Sequence, residues 1–377
     1  MPPDTSHLAE PGGDQQCLHE FVEAARTKLP DNIWDYLVGG TETETTLQRN
    51  RLALDALAFR PRVLRDVSAV SCAGNLLGRS MRLPLFLAPV GSLESFHPEG
   101  AAEAARGADR FGVPIMVSSV TKPGLEETAR AAGAGRLMFQ LYVRGDGAWV
   151  DEYVHRAVDA GYEAFCLTVD TAAYSRRERD ITRRFVKPWR SSATGIEYQA
   201  ALNWSDVARF KAKHRVPLIL KGIATGEDAA LACEHGVDVV YVSNHGGRQL
   251  DHGRGSAAVL PEIVDAVAGR ASVVVDGAFS RGTDIVKALA LGADAVGVGR
   301  LYCYGLAADG ASGVARLLEV LEHETGVVLA LLGVTKFGDL DRSYLCSVEP
   351  VAQAHVHSAF PLMGLYADKR PTDTPAP

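Results

Sequence analysis

Residues 216–247 read VPLILKGIATGEDAALACEHGVDVVYVSNHGG, and this stretch decides the fold. The runs VPLILK (216–221) and VDVVYVS (237–243) are short and almost wholly apolar, as strands buried on both faces are. Between them Glu227–His235 is alanine-rich with dispersed charge, which suits a helix lying on a sheet. Two such strands joined through a helix make a parallel unit. The same alternation extends both ways. Upstream lie PLFLAP (84–89), VPIMVS (113–118), RLMFQLY (136–142) and EAFCLTV (163–169); downstream lie ASVVVD (271–276) and ADAVGVG (293–299). Helical stretches stand between them, among them Glu99–Phe111 and Arg281–Leu291. About eight strand–helix repeats predict an α/β fold of the (β/α)8 TIM-barrel type, preceded by an N-terminal helical segment. A doubly wound open sheet is the alternative, but no early GxGxxG is present; GVGR (297–300) comes last, not first.

The pattern sets the boundaries. Residues 1–16 and 367–377 are rich in Pro, Gly, Asp and Thr and read as flexible tails, leaving 17–366 as one barrel domain. Net charge is −7 with both signs dispersed, which argues against nucleic acid as a partner. No run of about 18 apolar residues is present and the N-terminus lacks the basic and apolar regions of a secretory signal, so a cytoplasmic, membrane-free protein is expected. Six scattered cysteines without a CxxC pair fit free thiols in a reducing compartment better than disulfides or a metal site.

In a barrel of this kind, chemistry sits at the C-terminal ends of the strands. Reading those ends in order gives Ala88-Pro89-Val90-Gly91, then Ser118-Ser119, Gln140 with Tyr142, and Thr168 with Asp170 followed by Arg176-Arg177. Next come Lys221, Ser243-Asn244-His245, Asp276, and Gly299-Arg300. One such residue is more often structural than catalytic; polar or ionisable groups after nearly every strand predict an anion-binding active site. Gly277, Gly282 and Gly299, the helix start near Arg281 and the charge of Arg300 suit a phosphate. Ordinary barrel turns are the plainer reading of those glycines. The polar, irregular segment Ile181–Asn203 follows the fourth strand and falls on the catalytic face.

Three strings then carry a resemblance: SNHGGRQLD (243–251), DGAFSRGTDIVKALALGA (276–293) and LPDNIWDYLVGG (29–40), supported by FQLYV (139–143), LTVDT (167–171), RRERD (176–180) and LKG (220–222). From about Phe21 to about Cys346 the chain closely resembles the FMN-dependent 2-hydroxy acid oxidase and dehydrogenase family, which includes glycolate oxidase, lactate oxidase, mandelate dehydrogenase and flavocytochrome b2. The resemblance implies FMN as cofactor and oxidation of an (S)-2-hydroxy acid to the 2-oxo acid. It makes His245 the base, Asp170 its orienting carboxylate, and Arg177 with Arg248 the clamp on the substrate carboxylate. Tyr36 would assist that clamp, Tyr142 would stand near the substrate hydroxyl, and Lys221 near the N1/O2 edge of the flavin. Pro89, Val90, Gly91, Ser118, Gln140, Thr168 and Ser243 would contact the flavin; Asp276, Gly277, Arg281, Gly299 and Arg300 would hold its ribityl chain and phosphate. A planar carboxylate suits guanidinium forks, and an imidazole near neutral pKa suits proton abstraction.

Four departures from the family pattern stand out. An arginine of the usual GGVRRG is Ser280, which predicts weaker FMN binding; the usual GRP is Gly299-Arg300-Leu301. Val120 replaces an aromatic residue and Gly91 an alanine beside the substrate. The last two predict room for a bulky or aromatic substituent, unless side chains from 181–203 refill the gap. That segment is also shorter than in glycolate oxidase, which predicts a more open mouth. Dioxygen is the expected acceptor, with a quinone or protein acceptor as the alternative. An FMN-dependent isomerase and a flavin-free scaffold fit the His245, Arg177, Arg248 and Lys221 set less well. The resemblance also implies a homo-oligomer, most simply a tetramer.

Overall fold

The computed structural model describes residues 15–363; of the predicted tails, 1–16 and 367–377, residues 1–14 and all of 367–377 lie outside the described residues. Eight parallel strands close into a barrel. They are β1 (Leu85–Leu87), β2 (Ile115–Ser118), β3 (Leu137–Leu141), β4 (Ala164–Thr168), β5 (Leu218–Ile223), β6 (Val239–Val242), β7 (Ser272–Val275) and β8 (Ala295–Val298). Each falls within an apolar run read from the sequence or, for β5, overruns it by two residues. The first and last strands complete the ring through Val296 opposite Leu85 and Val298 opposite Leu87. Nearly every strand position is buried, because the inner face fills the lumen and the outer face meets the helices.

The lumen is packed by Phe86, Met116, Met138, Ala164, Cys166, Ile219, Val239, Tyr241, Val274 and Ala295. Its lower end is stoppered by Leu76 and Met81, from a hairpin pairing Gly74–Leu76 with Arg79–Met81. That hairpin was not anticipated. Gly297 on β8 is required by packing: a Cβ there would lie 2.4 Å from the Tyr241 hydroxyl. Around the barrel, the helices Gly100–Phe111, Gly226–Glu234 and Gly282–Ala290 match the predicted stretches to within a residue or two. An N-terminal helical segment, Leu18–Lys28, Asp31–Val38 and Thr45–Asp55, precedes the barrel. Among the described residues no helix is long and apolar enough to cross a membrane.

The segment 181–203 is more ordered than its composition suggests. It carries the end of the helix Glu178–Thr182, a turn at Arg190–Ser192 and a helix Ile196–Ala201. Tertiary hydrogen bonds supply the order. Gln199 is buried; its Oε1 accepts from the Val143 N–H at 2.7 Å and its Nε2 donates to the Thr168 carbonyl at 2.8 Å, tying the segment to the ends of β3 and β4.

Candidate active site

The polar strand ends converge at the mouth. His245, just past β6, has φ of 60°, a strained conformation for a residue other than glycine and one held by its surroundings. Its N–H donates to Ser243 Oγ at 3.1 Å. Its Nδ1 lies 3.1 Å from Asp170 Oδ1 and its Nε2 lies 3.2 Å from the Tyr142 hydroxyl. An ionised carboxylate only accepts, so Nδ1 carries the proton and Nε2 is the basic nitrogen. Burial lowers the His245 pKa, and the Asp170 charge offsets part of that. Burial alone would raise the Asp170 carboxyl, but His245 and Lys221 hold it below its ordinary value.

Asp170 approaches so closely because Gly222 allows it. The ladder between β5 and β6 shifts register between Lys221 and Ile223, and Gly222 within it has φ of 116°. A Cβ there would lie 2.7 Å from Asp170 Cβ. Strand alternation turns the buried Lys221 inward, two residues after Ile219 in the lumen. Its Nζ donates to Ser243 Oγ at 2.9 Å and stands 3.7 Å from Asp276 Oδ2. Asp276 in turn accepts from Ser243 at 2.7 Å and from Tyr241 at 2.9 Å.

Arg177 and Arg248 stand together with no acidic partner among the described residues. The Arg177 Nε reaches the Arg248 carbonyl at 3.3 Å, and Arg248 Nη1 donates to the Gly39 carbonyl at 2.6 Å. Enclosure and the neighbouring Arg177 charge push Arg248 below its ordinary pKa. The nearby carboxylate of Asp180 is taken by Lys187. Two adjacent guanidiniums walled in by protein call for an anion, and a carboxylate matches their forks. Tyr36 packs beneath, with the Arg248 guanidinium 5.0 Å from its ring centroid. Its hydroxyl donates to the Gly91 carbonyl at 2.9 Å, and burial pushes it up to about 12.

The same cavity runs from Tyr142, Lys221 and His245 past Pro89, Val90 and Gly91 to Gly277, Ser280, Gly299 and Arg300. Ser118, Gln140 and Thr168 are buried and are not among the residues that line it. Ser118 Oγ donates to Gln140 Oε1 at 2.7 Å, which leaves the buried Gln140 Nε2 without a partner. A cavity lined by both Lys221 and Arg300, on a barrel that also holds a buried amide donor without a partner, fits FMN.

Two expectations for the phosphate end need correction. Arg281 does not line the cavity: it pairs with Glu324 at 2.6 Å and donates to the Ala359 carbonyl at 3.3 Å. The start of the helix Gly282–Ala290 is also occupied. Asp284 folds back to accept the N–H groups of Ser280 at 2.9 Å and Arg281 at 3.0 Å, and Glu324 accepts that of Gly282 at 2.9 Å. Asp284 is itself locked in a buried bidentate pair with Arg51. N–H groups already bonded to carboxylates are not offered to an anion. The helix opening at Arg300 is the other candidate, since Gly299, Arg300 and Leu301 all line the cavity and its first N–H groups point outward from the helix. Arg300 donates to the carbonyls of Leu37, Gly39 and Gly246, has no acidic partner among the described residues, and is pushed down to about 10 by enclosure and by Arg248.

On the substrate side, Gly91 faces Val120 as expected, but Trp189 joins them. A Cβ on Gly91 would lie 2.9 Å from Val120 Cγ2 and 3.8 Å from Trp189 Nε1. The anticipated gap is thus partly filled from the 181–203 segment. Trp189, Phe96 and Gln199 were not singled out in the sequence; an aromatic residue inside a segment placed on the catalytic face was the available signal for Trp189.

Comparison with known proteins identifies the family. Residues 25–197 and 190–347 match the family model of FMN-dependent dehydrogenases. The chain is 38% identical to an L-lactate oxidase of Nostoc sp., over 87% of this chain and 97% of that protein. It is 37% identical to the glycolate oxidase of Spinacia oleracea, over 88% of this chain and 95% of that one. A crystal structure of mandelate oxidase with (S)-2-phenylpropionate superposes with a TM-score of 0.83 at 40% identity, covering 90% of this chain and all of that one. With the barrel, the cavity and the family match in agreement, the chain belongs to the FMN-dependent dehydrogenase family, among its 2-hydroxy acid oxidases, and its cofactor is FMN.

Proposed function

We propose that this enzyme oxidises an (S)-2-hydroxy acid with a bulky or aromatic substituent to the 2-oxo acid, with dioxygen as the acceptor and hydrogen peroxide as co-product. The observation that carries the substrate class is the make-up of the cavity wall on this side, where Gly91 and Val120 stand with Trp189 close by and Phe96 lines the same cavity. The likeness to mandelate oxidase supports it. The oxidase names of the relatives support dioxygen.

In this reading Arg177 and Arg248 take the substrate carboxylate in their forks and fix the α-carbon. Nε2 of His245 removes a proton from the substrate, and Asp170 steadies the imidazolium that forms. The Tyr142 hydroxyl, already within hydrogen-bond reach of Nε2, orients the substrate hydroxyl. FMN supplies the two-electron acceptor, and the Lys221 cation offers charge where the reduced ring becomes negative. Phe96 and Trp189 keep water from the substituent side.

The test is an anaerobic screen of 2-hydroxy acids that follows bleaching of the flavin, then mixing of the reduced enzyme with dioxygen in a stopped-flow instrument. Ring-bearing acids should bleach the flavin with higher kcat/KM than glycolate or lactate, and reoxidation should keep pace with turnover. Preference for glycolate or lactate over every aryl and long-chain acid would refute the substrate class. Reoxidation far slower than turnover with an artificial acceptor would refute dioxygen.

A further inference from the structure

Trp189 stands between two fixed points. On one side Lys187 is buried and ion-paired with Asp180, its ammonium 5.3 Å from the ring centroids of both Tyr36 and Tyr174. On the other, Gln199 is bonded to the backbone of Val143 and Thr168. Between these anchors the indole has the Tyr174 ring at 6.1 Å and the Arg144 guanidinium 5.5 Å from its centroid. One edge reaches the cavity, where Nε1 lies 3.8 Å from the Cβ position of Gly91. The indole is therefore a wall held in place before substrate arrives, so little ordering cost accompanies contact with it.

We propose that Trp189 is a specificity-determining residue that selects a planar aromatic substituent over a saturated one of the same size. This deepens the substrate reading above and rests on it. A saturated ring and an aromatic ring bury similar area, but only the aromatic one gains offset or edge-to-face contact with an indole. Phe96 lines the same cavity stacked on Tyr36 with ring centroids 5.8 Å apart, while Trp189 is the aromatic residue within van der Waals reach of the Gly91 Cβ position. The aromatic preference should amount to roughly 3- to 10-fold in binding.

The test compares (S)-mandelate with (S)-hexahydromandelate in the wild type, Trp189→Leu and Trp189→Phe, all with FMN bound. The benzylic α-hydrogen is more labile, so the diagnostic quantity is the change in the kcat/KM ratio on mutation. The ratio should fall about 3- to 10-fold in Trp189→Leu and be mostly kept in Trp189→Phe. Dissociation constants of benzoylformate and its cyclohexyl counterpart, read from perturbation of the flavin spectrum without turnover, should follow the same order. Should Trp189→Leu not retain FMN, Trp189→Met is measured in its place. An unchanged ratio in a folded, FMN-loaded variant overturns the role of Trp189 and leaves the bulky-substrate reading standing. If the wild type instead prefers lactate to both ring acids, that broader reading fails, and the two ring ligands' dissociation constants still decide whether Trp189 discriminates between them.

Discussion

Replacing Gly91 with alanine would probe the substituent compartment where it is narrowest. The backbone at Gly91 is outside the left-handed region, so alanine can adopt it. Its new Cβ would stand 2.9 Å from Val120 Cγ2, 3.5 Å from the Val120 carbonyl oxygen and 3.8 Å from Trp189 Nε1. Carbon atoms pack at about 3.5–4.0 Å, so Val120 has to retreat by roughly 0.6–1 Å, and a β-branched side chain has little χ1 freedom to do so. Overpacking of this kind costs about 1–3 kcal/mol in stability. A ring bound over residue 91 also loses about one methyl group's worth of room, a discrimination of roughly 10- to 200-fold. We expect kcat/KM for mandelate to fall in that range in Gly91→Ala, and that for lactate, whose methyl group is small, to fall far less. Adding Val120→Ala removes the clashing Cγ2 and should recover much of the loss, giving a measurable coupling in a double-mutant cycle. Steady-state kinetics on both acids, with the thermal midpoint of each variant, make the measurement. Unchanged mandelate kinetics would show that the substituent does not lie over Gly91. An equal fall on both acids would place the effect on the flavin rather than on the compartment.

Other residues make separate predictions. His245→Ala should retain FMN yet lose about 10²- to 10⁴-fold in turnover, since the proton acceptor goes and the cavity stays; near-normal turnover refutes its role. Arg248→Lys keeps the charge but loses the fork that sits beside Arg177, so KM should rise, kcat should fall and kcat/KM should drop about 10- to 100-fold, and near-unchanged kinetics would place the carboxylate elsewhere. Asp170→Asn removes the charge that raises the His245 pKa against the lowering effect of burial. The base must be neutral to act, so the acid limb of the kcat/KM profile, which reflects loss of activity as pH falls through that pKa, should move to lower pH while the plateau drops; an upward move contradicts the pairing. Ser280→Arg places a cation on the cavity wall where the Ser280 hydroxyl now donates to the Ala278 carbonyl, and should tighten FMN by about 10- to 100-fold in equilibrium dialysis; an unchanged or weaker constant means another group already serves the phosphate.

Much of this enzyme was legible before folding. Strands buried on both faces have to be continuous apolar runs, so β1 to β8 announce themselves within a residue or two. A parallel barrel puts its chemistry after those runs, so Lys221, His245, Asp170, Arg177 and Arg248 could be named from position and motif. Local rules also reach Asp284, three residues into its helix and able to fold back on the chain before it. They do not reach Glu324, which lies far along the chain and draws Arg281 away from the cavity. Nor do they reach the hairpin that stoppers the lumen, whose short strands are largely exposed and lack an apolar run.

Trp189 shows most clearly where the sequence stops. The sequence alone determined the barrel, the order of its polar strand ends and the residue types able to grip a carboxylate and a flavin, because periodicity and strand-end position are local properties of the chain. Only the tertiary structure decided which guanidinium faces the cavity, which helix start is left uncapped, and what fills the space over Gly91. Those outcomes turn on pairings such as Lys187 with Asp180 and Gln199 with Val143 and Thr168, in which a charge or an amide must find a partner once water is excluded. The partner is whichever group the closed barrel brings within reach, and no local pattern in the chain encodes that distance.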